Sequence, residues 1–436
     1  MSVMLSDPAT CQAPDGPFSH VYVTITDVQA NVNGSAGSSD SGWVDLTPGL
    51  AKAPMQVDLL GLANNHCFLA TLGDAQELQA GKYQQIRVIL ASNSTTVASN
   101  MCGSSANCVM LTADTSNTPH TLQLSSEAQT GIKIPSGQIA SGGLTVASGQ
   151  TADLDIDFNT CESIVQEGNG QYRLKPVLHA GEVSTTSTSI NGKIVDKATG
   201  NPVSGSVMVA LEQKDVTGID RVVMSTMAGT DGSFVFCPLP TGTYDVVVVG
   251  TRTDGVEYAP VIVTGVATGS TAGAVDLYLP AVTATSSAAL TGLVTSQNSA
   301  MAGTVADVQL SALETVNSVQ YTIPLPPTSS QSSAVLVVET AASTASLTCP
   351  TGTDCAAYTM QVPSSGAYAG AWGASGTTLT QSSALASYAV DAIATVPSSG
   401  GTLDCSPSDI TSTLNALTGV GPFSISFQNI GFVQCQ

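Results

Sequence analysis

The sequence predicts an all-β protein of three tandem β-sandwich-like domains with disulfides and very little helix. Three observations predict this class. Short β-branched segments alternate apolar and polar residues, which is the two-residue period of a half-buried strand. Glycine, proline, asparagine, aspartate and serine separate these segments, as turn-forming residues do. The 3.6-residue period of an amphipathic helix is scarce.

The alternation is clearest in residues 153–158, where Leu154, Ile156 and Phe158 alternate with three aspartates. This pattern predicts a strand with its aspartates on a solvent-exposed face. Similar patterns predict strands in residues 20–26, 85–90, 121–124, 306–310, 318–325 and 423–427, and continuous apolar runs predict buried strands at 246–249 and 334–338. Only residues 73–78 and 409–417 resemble short helical segments.

Two stretches rich in serine and threonine, residues 184–189 and 282–288, are typical of linkers. They divide the 436 residues into predicted domains 1–183, 187–282 and 287–436. Each piece has the usual size of a single domain.

The charge balance excludes two classes of partner. Eleven Lys and Arg residues stand against 32 Asp and Glu, a net charge of −21. Nucleic-acid binding and docking on anionic lipid both need clustered cations, so we expect neither. No Lys or Arg follows Arg252. A cation-free surface favours self-association, although compositional drift explains it equally well.

Ten cysteines are present. Cys102 with Cys108, and Cys349 with Cys355, each bracket a five-residue, turn-rich loop, and a hairpin can bring such ends within bonding distance. Neither pair has the spacing of a zinc site. Cys405 with Cys435 is a third candidate pair.

Cys11 with Cys161 is a fourth candidate pair, which would tie the first strand of the N-terminal domain to its last hairpin. Cys67 and Cys237 then remain, either unpaired or joined between domains or molecules, because a sequence does not fix connectivity. Disulfides predict an extracellular or cell-surface location. We therefore expect a removed leader before Met1, and a lipid anchor there is an open alternative. No apolar run is long enough for a transmembrane helix.

Calcium is the one metal that the sequence suggests. Asp153, Asp155, Asp157 and Asn159 have the spacing that opens an EF-hand loop. Phe158 and Ile164 occupy the positions where that loop needs Gly and Glu. A solvated acidic strand face is therefore the favoured interpretation, with weak Ca²⁺ binding as the alternative; no other cofactor is expected.

Two aromatic residues are candidates for ligand or interface contacts. Trp372 and Tyr368 lie among small residues, and exposed aromatic rings of this kind stack on sugars or anchor interfaces. Burial in a core is the competing interpretation.

Catalytic patterns are weak. The chain has no G-x-S-x-G motif and only four histidines. His179 and Glu182 spell H-x-x-E, but no later histidine could complete a zinc site. We therefore predict that the protein is not an enzyme.

Several segments of residues 2–180, taken in their order along the chain, resemble an uncharacterised family. This family is a domain of unknown function found in secreted bacterial lipoproteins and surface proteins. The resemblance rests on residues 3–8, 21–28, 43–48, 57–60, 80–88 and 168–177. It implies an extracytoplasmic β-domain without established chemistry.

The second predicted domain resembles the carboxypeptidase-regulatory-like module, a transthyretin-like β-sandwich. Residues 192–196, 199–203, 230–236 and 239–246 carry this resemblance. Such modules are spacers and scaffolds, so the resemblance implies a non-catalytic role. The third domain resembles no family that we recognise.

Together these features predict an extracellular structural or adhesive surface protein that self-assembles into a filament or surface layer. Its partners would be further copies or other cell-surface components. A strand around residues 2–6, or the leftover cysteines, could link copies. A surface binding module for glycans or calcium is the alternative.

Overall fold

The chain is an all-β protein in the computed structural model, which confirms the fold class that the sequence predicts. The structure describes residues 2–6, 18–62, 70–72, 76, 78–124, 127–139, 142–148, 153–158, 160–166, 170–174, 176, 178–183, 188–203, 205–229, 231–239, 241–252, 254–268, 275–279, 287–297, 306–325, 336–341, 343–344, 346–373, 376–395, 405, 409–419 and 422–433. Among these residues, none of the helices combines the length and hydropathy that crossing a membrane requires.

In its described residues, the first region, up to residue 183, contains short and medium strands and three single helical turns. These elements are β1 (Ser2–Ser6), β2 (Phe18–Asn31), β3 (Val44–Asp45), β4 (Met55–Asp58), α1 (Leu59–Leu62), β5 (Ala70–Thr71), β6 (Gly81–Tyr83), β7 (Gln85–Leu90), β8 (Cys108–Leu111), β9 (His120–Gln123), β10 (Ile132–Pro135), a 3₁₀ turn (Ser136–Gln138), β11 (Leu144–Val146), β12 (Asp153–Phe158), α2 (Thr160–Ser163), β13 (Ile164–Gln166), β14 (Tyr172–Leu174) and β15 (Leu178–Val183).

The rest of the described chain is built from strands. They are β16 (Thr188–Asp196), β17 (Ser206–Lys214), β18 (Ile219–Met227), β19 (Ser233–Leu239), β20 (Thr243–Thr251), β21 (Val261–Ala267), β22 (Val275–Leu279), β23 (Ser287–Ser296), β24 (Asp307–Val316), β25 (Val319–Ile323), β26 (Leu336–Glu339), β27 (Asp354–Pro363), β28 (Tyr368–Ala371), β29 (Thr380–Gln381), β30 (Ser387–Thr395), β31 (Asp409–Thr411), β32 (Asn415–Ala416), β33 (Phe423–Ser426) and β34 (Ile430–Phe432).

The N-terminal region has its own core. One sheet has the order β15-β12-β1-β5, a second has the order β10-β7-β2-β8-β9-β14-β13 with β3 and β4 also on β2, and β6 pairs with β11. Val21 and Val23 of β2 share a fully buried cluster with Leu154 and Ile156 of β12. The apolar residues of the alternating pattern therefore do form the core.

Strand β1 lies inside its own sheet. It pairs in parallel with β12, with Val3 beside Leu154, and antiparallel with β5, with Leu5 beside Ala70. Both edges of β1 are therefore occupied within the chain. The expectation that this segment is available to link copies is wrong for the strand as it is placed here.

The predicted second and third domains share one sheet of twelve strands, which we call the central sheet. Its order is β29-β28-β21-β20-β17-β18-β25-β24-β30-β31, with β26 on β24 and β32 on β30. Strands from residues 206–267 occupy the middle, and strands from beyond residue 306 extend both edges. β25 joins β18 in parallel, and β28 joins β21 in parallel. The exact limits of the predicted domains stay a prediction.

A smaller sheet packs on each face of the central sheet. The first cover sheet has the order β19-β16-β22, and the second cover sheet consists of β27, β23, β33 and β34. Val207 and Val209 of β17 join a core that includes Phe236 of the first cover sheet. Met208 and Ala210, on the opposite face of the same strand, join a core with the second cover sheet. The result is a three-layer unit.

The two-sided burial explains the continuous apolar run at residues 246–249. Val246 and Val248 belong to the first core, and Val247 and Val249 belong to the second. A strand that is covered on both faces has no solvent-facing positions, so the two-residue alternation disappears. The predicted burial of this run is confirmed.

The helical interpretation of residues 409–417 is wrong. This segment contains the short strands β31 and β32, both of which pair with β30. Tertiary pairing thus overrides a weak helical pattern. Most of residues 73–78 lies outside the described residues.

The turn directly before β19 has the conformation that its aspartate and glycine predict. Gly232 has a φ of +77°, and a Cβ atom there would lie 2.3 Å from the Ile194 carbonyl oxygen. The Asp231 carboxylate accepts a hydrogen bond from the Ser233 backbone at 3.0 Å. Only glycine fits this close approach, because any side chain would meet backbone atoms.

Candidate functional site

Two of the predicted disulfides are present. Cys102 is bonded to Cys108, and Cys349 is bonded to Cys355, with Cα–Cα distances of 5.5 Å and 5.3 Å. Cys405 is buried and disulfide-bonded. Cys435 lies outside the described residues, so its pairing with Cys405 stays a prediction.

The other cysteine predictions remain open. Cys11 and Cys67 lie outside the described residues, as do the side chains of Cys161 and Cys237. The proposed Cys11–Cys161 bond and the role of Cys67 and Cys237 therefore stay predictions. Among the cysteines that are described, none is free.

The acidic strand does not present a solvated face. Only 5% of Asp155 and 2% of Asp157 is exposed, and Asp153 is half-buried. The prediction of an exposed acidic face is therefore wrong. The reason is that β12 lies between β1 and β15 and is buried on both sides. Asn159 lies outside the described residues, and in the described part of the chain no three His, Cys, Asp or Glu side chains are grouped to hold a metal ion.

Trp372 and Tyr368 lie at one edge of the central sheet. Both side chains are half-buried and pack against the core beneath the first cover sheet. The Trp372 backbone donates a hydrogen bond to the Thr264 carbonyl at 2.7 Å. Tyr368 also reaches outwards, and its hydroxyl donates to Gln381 Oε1 at 3.4 Å. Packing against the core thus covers part of both aromatic rings, and contact of these rings with a ligand stays a prediction.

A buried arginine joins the predicted second and third domains. Arg221 lies on β18 and is 7% exposed. Its Nε lies 2.6 Å from Asp215, its Nη1 lies 2.5 Å from Asp391 on β30, and its Nη2 lies 3.0 Å from Asp409 on β31. We call these four residues the Arg221 cluster. One guanidinium therefore bridges segments about 190 residues apart, since Arg221 and Asp409 are separated by 188 positions.

The charges in the Arg221 cluster are strongly coupled. Burial acts to lower the pKa of Arg221, but the charge of Asp391 and its hydrogen bond outweigh burial and raise that pKa. Burial and the charge of Asp391 raise the pKa of Asp409 to about 7, against the opposing effect of Arg221. The guanidinium thus stays charged at every accessible pH.

A second group of ionisable residues crosses the opposite face of the central sheet. Four carboxyl groups, which we call the acid row, lie on the face towards the second cover sheet: Asp245 of β20, Glu212 of β17, Asp220 of β18 and Glu314 of β24. Glu212 lies opposite Asp245, and Tyr321 of β25 lies beside both Asp220 and Glu314. Because every second residue of a strand faces the same side of the sheet, these four acids face the same side as Met208 and Ala210.

One end of the acid row opens into a cavity of about 340 Å³, which we call the acid pocket. It is lined by Glu212, Gln213, Lys214, Asp220, Thr243 and Asp245. Glu212 is fully buried, and its Oε2 accepts a hydrogen bond from the Thr322 backbone at 3.2 Å. Asp245 accepts one from Gly265 at 2.9 Å. The Lys214 ammonium lies 3.9 Å from Asp220 Oδ2.

Burial favours the protonated form of each acid in the acid row. Burial, followed by the charges of Asp220 and Asp245, raises the pKa of Glu212 well above its usual value. Burial and the charge of Asp245 raise the pKa of Asp220 to about 7. Burial raises the pKa of Glu314 to about 8, against one hydrogen bond from Ala367. These groups cost folding energy once they ionise.

Sequence reasoning missed both the Arg221 cluster and the acid row. Several of their acids, such as Glu212 after the run 207–211, are single acidic residues within largely apolar strands. The available signal was an acid at a position that strand alternation assigns to a buried face. That signal becomes specific only when the covering sheet is known.

Residues 1–176 match the family model of a domain of unknown function, DUF4382. This match supports the resemblance to an uncharacterised family for the N-terminal region. The likeness of residues 187–282 to the carboxypeptidase-regulatory-like module stays a prediction. A comparison with curated proteins finds no match.

Solved structures give only distant similarities. The minor pilin GBS52 of Streptococcus agalactiae is 12% identical, with 57% of this chain and 97% of the pilin covered and a TM-score of 0.19. A DUF3823 family protein from Bacteroides uniformis is 16% identical, with 53% and 96% covered and a TM-score of 0.17. The shaft pilin SpaA from Lactobacillus rhamnosus GG, as a double mutant, is 10% identical, with 58% and 99% covered and a TM-score of 0.19. No fold or function is transferred at these scores.

Proposed function

We propose that the protein is a non-enzymatic structural protein of the cell surface, extracellular in location, that self-associates into filaments or a surface layer. One observation carries the proposal. The central sheet continues across the predicted second and third domains and is covered on both faces. Many hydrogen-bonded strands and two cores must then break together before the unit extends. Such resistance to extension suits a structural role.

One sheet edge supports self-association. Strand β27 is ten residues long, and among the described residues it pairs with β23 alone, apart from a single bridge between Ala341 and Cys355. Its outward positions Ala357, Thr359 and Gln361 are exposed and uncharged. Long edges without charge accept strands from other molecules, whereas lysines block such pairing. We propose that β27 pairs with β27 of a second copy.

The test is negative-stain electron microscopy of native material from the cell surface, followed by the same analysis of the purified chain. We expect filaments or lattices. The double variant Thr359→Lys, Gln361→Lys should abolish them, because two ammonium groups oppose strand addition, while its thermal unfolding stays unchanged. Ala51→Lys, at an exposed turn in the N-terminal region, is the matched control and should assemble normally. Monomers at every concentration would contradict the proposal.

The alternative function is a binding module for glycans or calcium. The Tyr368 hydroxyl and Gln381, which are hydrogen-bonded at an exposed position, are the observation that favours glycans. Saturable binding on a glycan array, lost in Tyr368→Phe, would support this role. Silence with and without Ca²⁺ would remove it.

A further inference from the structure

The β17–β18 hairpin carries acidic groups on both of its faces. Arg221 and Asp220 are neighbours on β18, so their side chains point to opposite sides of the central sheet. The Arg221 cluster lies on one side and the acid pocket on the other. The two faces can therefore be compared directly. The carboxylates of the Arg221 cluster have hydrogen-bond partners, whereas two carboxyl oxygens at the acid pocket have none among the described residues.

On the face with the Arg221 cluster, the three carboxylates have a hydrogen-bond donor each, and that donor is a guanidinium group. Each of the three carboxylates of the Arg221 cluster contacts a different nitrogen of one guanidinium, at 2.5–3.0 Å. A planar guanidinium with five donors suits carboxylates that converge from several strands. Charge-assisted hydrogen bonds of this kind are the strong ones in proteins.

The other side has the same number of carboxylates and a poorer cation. Among the residues that line the acid pocket, Lys214 is the one cation; its side chain is 55% exposed, and its ammonium lies 3.9 Å from Asp220 Oδ2. Glu212 Oε1 and Asp220 Oδ2 are buried and have no hydrogen-bond partner among the described residues. Buried polar atoms are normally satisfied, and an exception needs an explanation.

The size of the acid pocket favours an organic cation over a metal ion. The cavity measures about 340 Å³, many times the space that a single water molecule needs. The described acidic side chains are also not grouped for metal coordination. A guanidinium is more weakly hydrated than an ammonium and therefore enters a partly buried site more easily.

We propose that the acid pocket binds the guanidinium group of an arginine side chain from another polypeptide. Glu212 and Asp220 accept its hydrogen bonds, Asp245 adds negative charge, and the exposed Lys214 side chain turns towards solvent. This inference does not depend on the proposed structural function. Burial raises the pKa values of these carboxyl groups, so binding is best measured at about pH 8.5, where more of each group is ionised.

The experiment is calorimetric titration of the full chain with N-acetylarginine methylamide. N-acetylcitrulline methylamide is the matched ligand, because it has the same shape without the charge. We expect saturable binding of the arginine compound and none of the citrulline compound. Equal binding of both, no saturable binding, or displacement of the arginine compound by CaCl₂ at constant ionic strength would overturn the proposal.

Three variants locate the binding. Glu212→Gln should weaken binding at least about tenfold, and Lys214→Gln should strengthen it because a competing cation is removed. Asp254→Asn removes an exposed charge that pairs with Arg252 and should leave binding unchanged. If Glu212→Gln does not fold, the half-buried Asp245→Asn replaces it with the same expected direction. An equal loss in Asp254→Asn would show a non-specific charge effect and overturn the proposal.

Discussion

Replacing Arg221 with methionine is expected to lower the free energy of unfolding by about 3–5 kcal/mol. The substitution keeps an apolar side chain of similar length but removes the cation from three carboxylates. The side chain of Asp391 is only 1% exposed, so its charge would remain buried without compensation. Equilibrium denaturation in urea at pH 7 measures the effect.

A matched arginine separates this effect from a general loss of positive charge. Arg252 pairs with Asp254 at 2.8 Å, but both side chains are well exposed, at 35% and 51%. Arg252→Met should therefore change stability by no more than about 0.5 kcal/mol. Adding Asp391→Asn to Arg221→Met should recover part of the loss. Similar losses for Arg221→Met and Arg252→Met would mean that the Arg221 cluster does not hold the predicted second and third domains together.

Raising the pH from about 4.5 to 8 is expected to destabilise the protein. The folded-state pKa of Glu314 is raised to about 8 by burial, so the folded chain keeps a proton that the unfolded chain releases near pH 4.3. Where the folded state holds more protons, the free energy of unfolding falls as the pH rises, by about 1.4 kcal/mol per pH unit and group. The contribution of protonated Glu314 to stability is therefore fully present below the pKa of the unfolded chain. It is lost as the pH rises through the pKa of the folded chain.

Glu314→Gln tests which group causes this loss. Glutamine keeps the carbonyl oxygen that accepts the Ala367 hydrogen bond, found at 2.9 Å in the native chain, but it cannot ionise. The difference in stability between pH 4.5 and pH 8 should shrink by roughly 4 kcal/mol. Urea denaturation across this range gives the comparison, and the slope rather than the absolute stability is the readout.

The exposed substitution Asp254→Asn serves as the control for slope, because it removes a carboxylate without touching a core. Its stability should follow the native pH dependence. An unchanged slope in Glu314→Gln, or a native chain that becomes more stable towards pH 8, would contradict the burial of a protonated carboxyl at this position.

Local patterns predicted strands well where apolar and polar residues alternate. Residues 153–158 were predicted as a strand and form β12 with the same limits. The two short disulfide loops were also visible, because six-residue separations close locally. Such features depend on neighbours in sequence, so the sequence carries them directly.

Long-range pairing was invisible for a physical reason. The parallel contacts between β18 and β25, and between β21 and β28, join segments about 100 residues apart and leave no local periodicity. The burial of Asp155 and Asp157 has the same origin, since it depends on what packs over β12. The acid row and the Arg221 cluster depend on those pairings, so residue types alone could not reveal them.

The central claim is that the described residues between 188 and 433 form one cooperative three-layer unit around the central sheet. Differential scanning calorimetry of the full chain tests it with one substitution in each outer layer, Phe236→Ala in β19 and Met360→Ala in β27, both fully buried. We predict that both variants lower the temperature of the same transition, by amounts that correspond to about 2–5 kcal/mol. Two transitions, each shifted by only one of the variants, would contradict the claim.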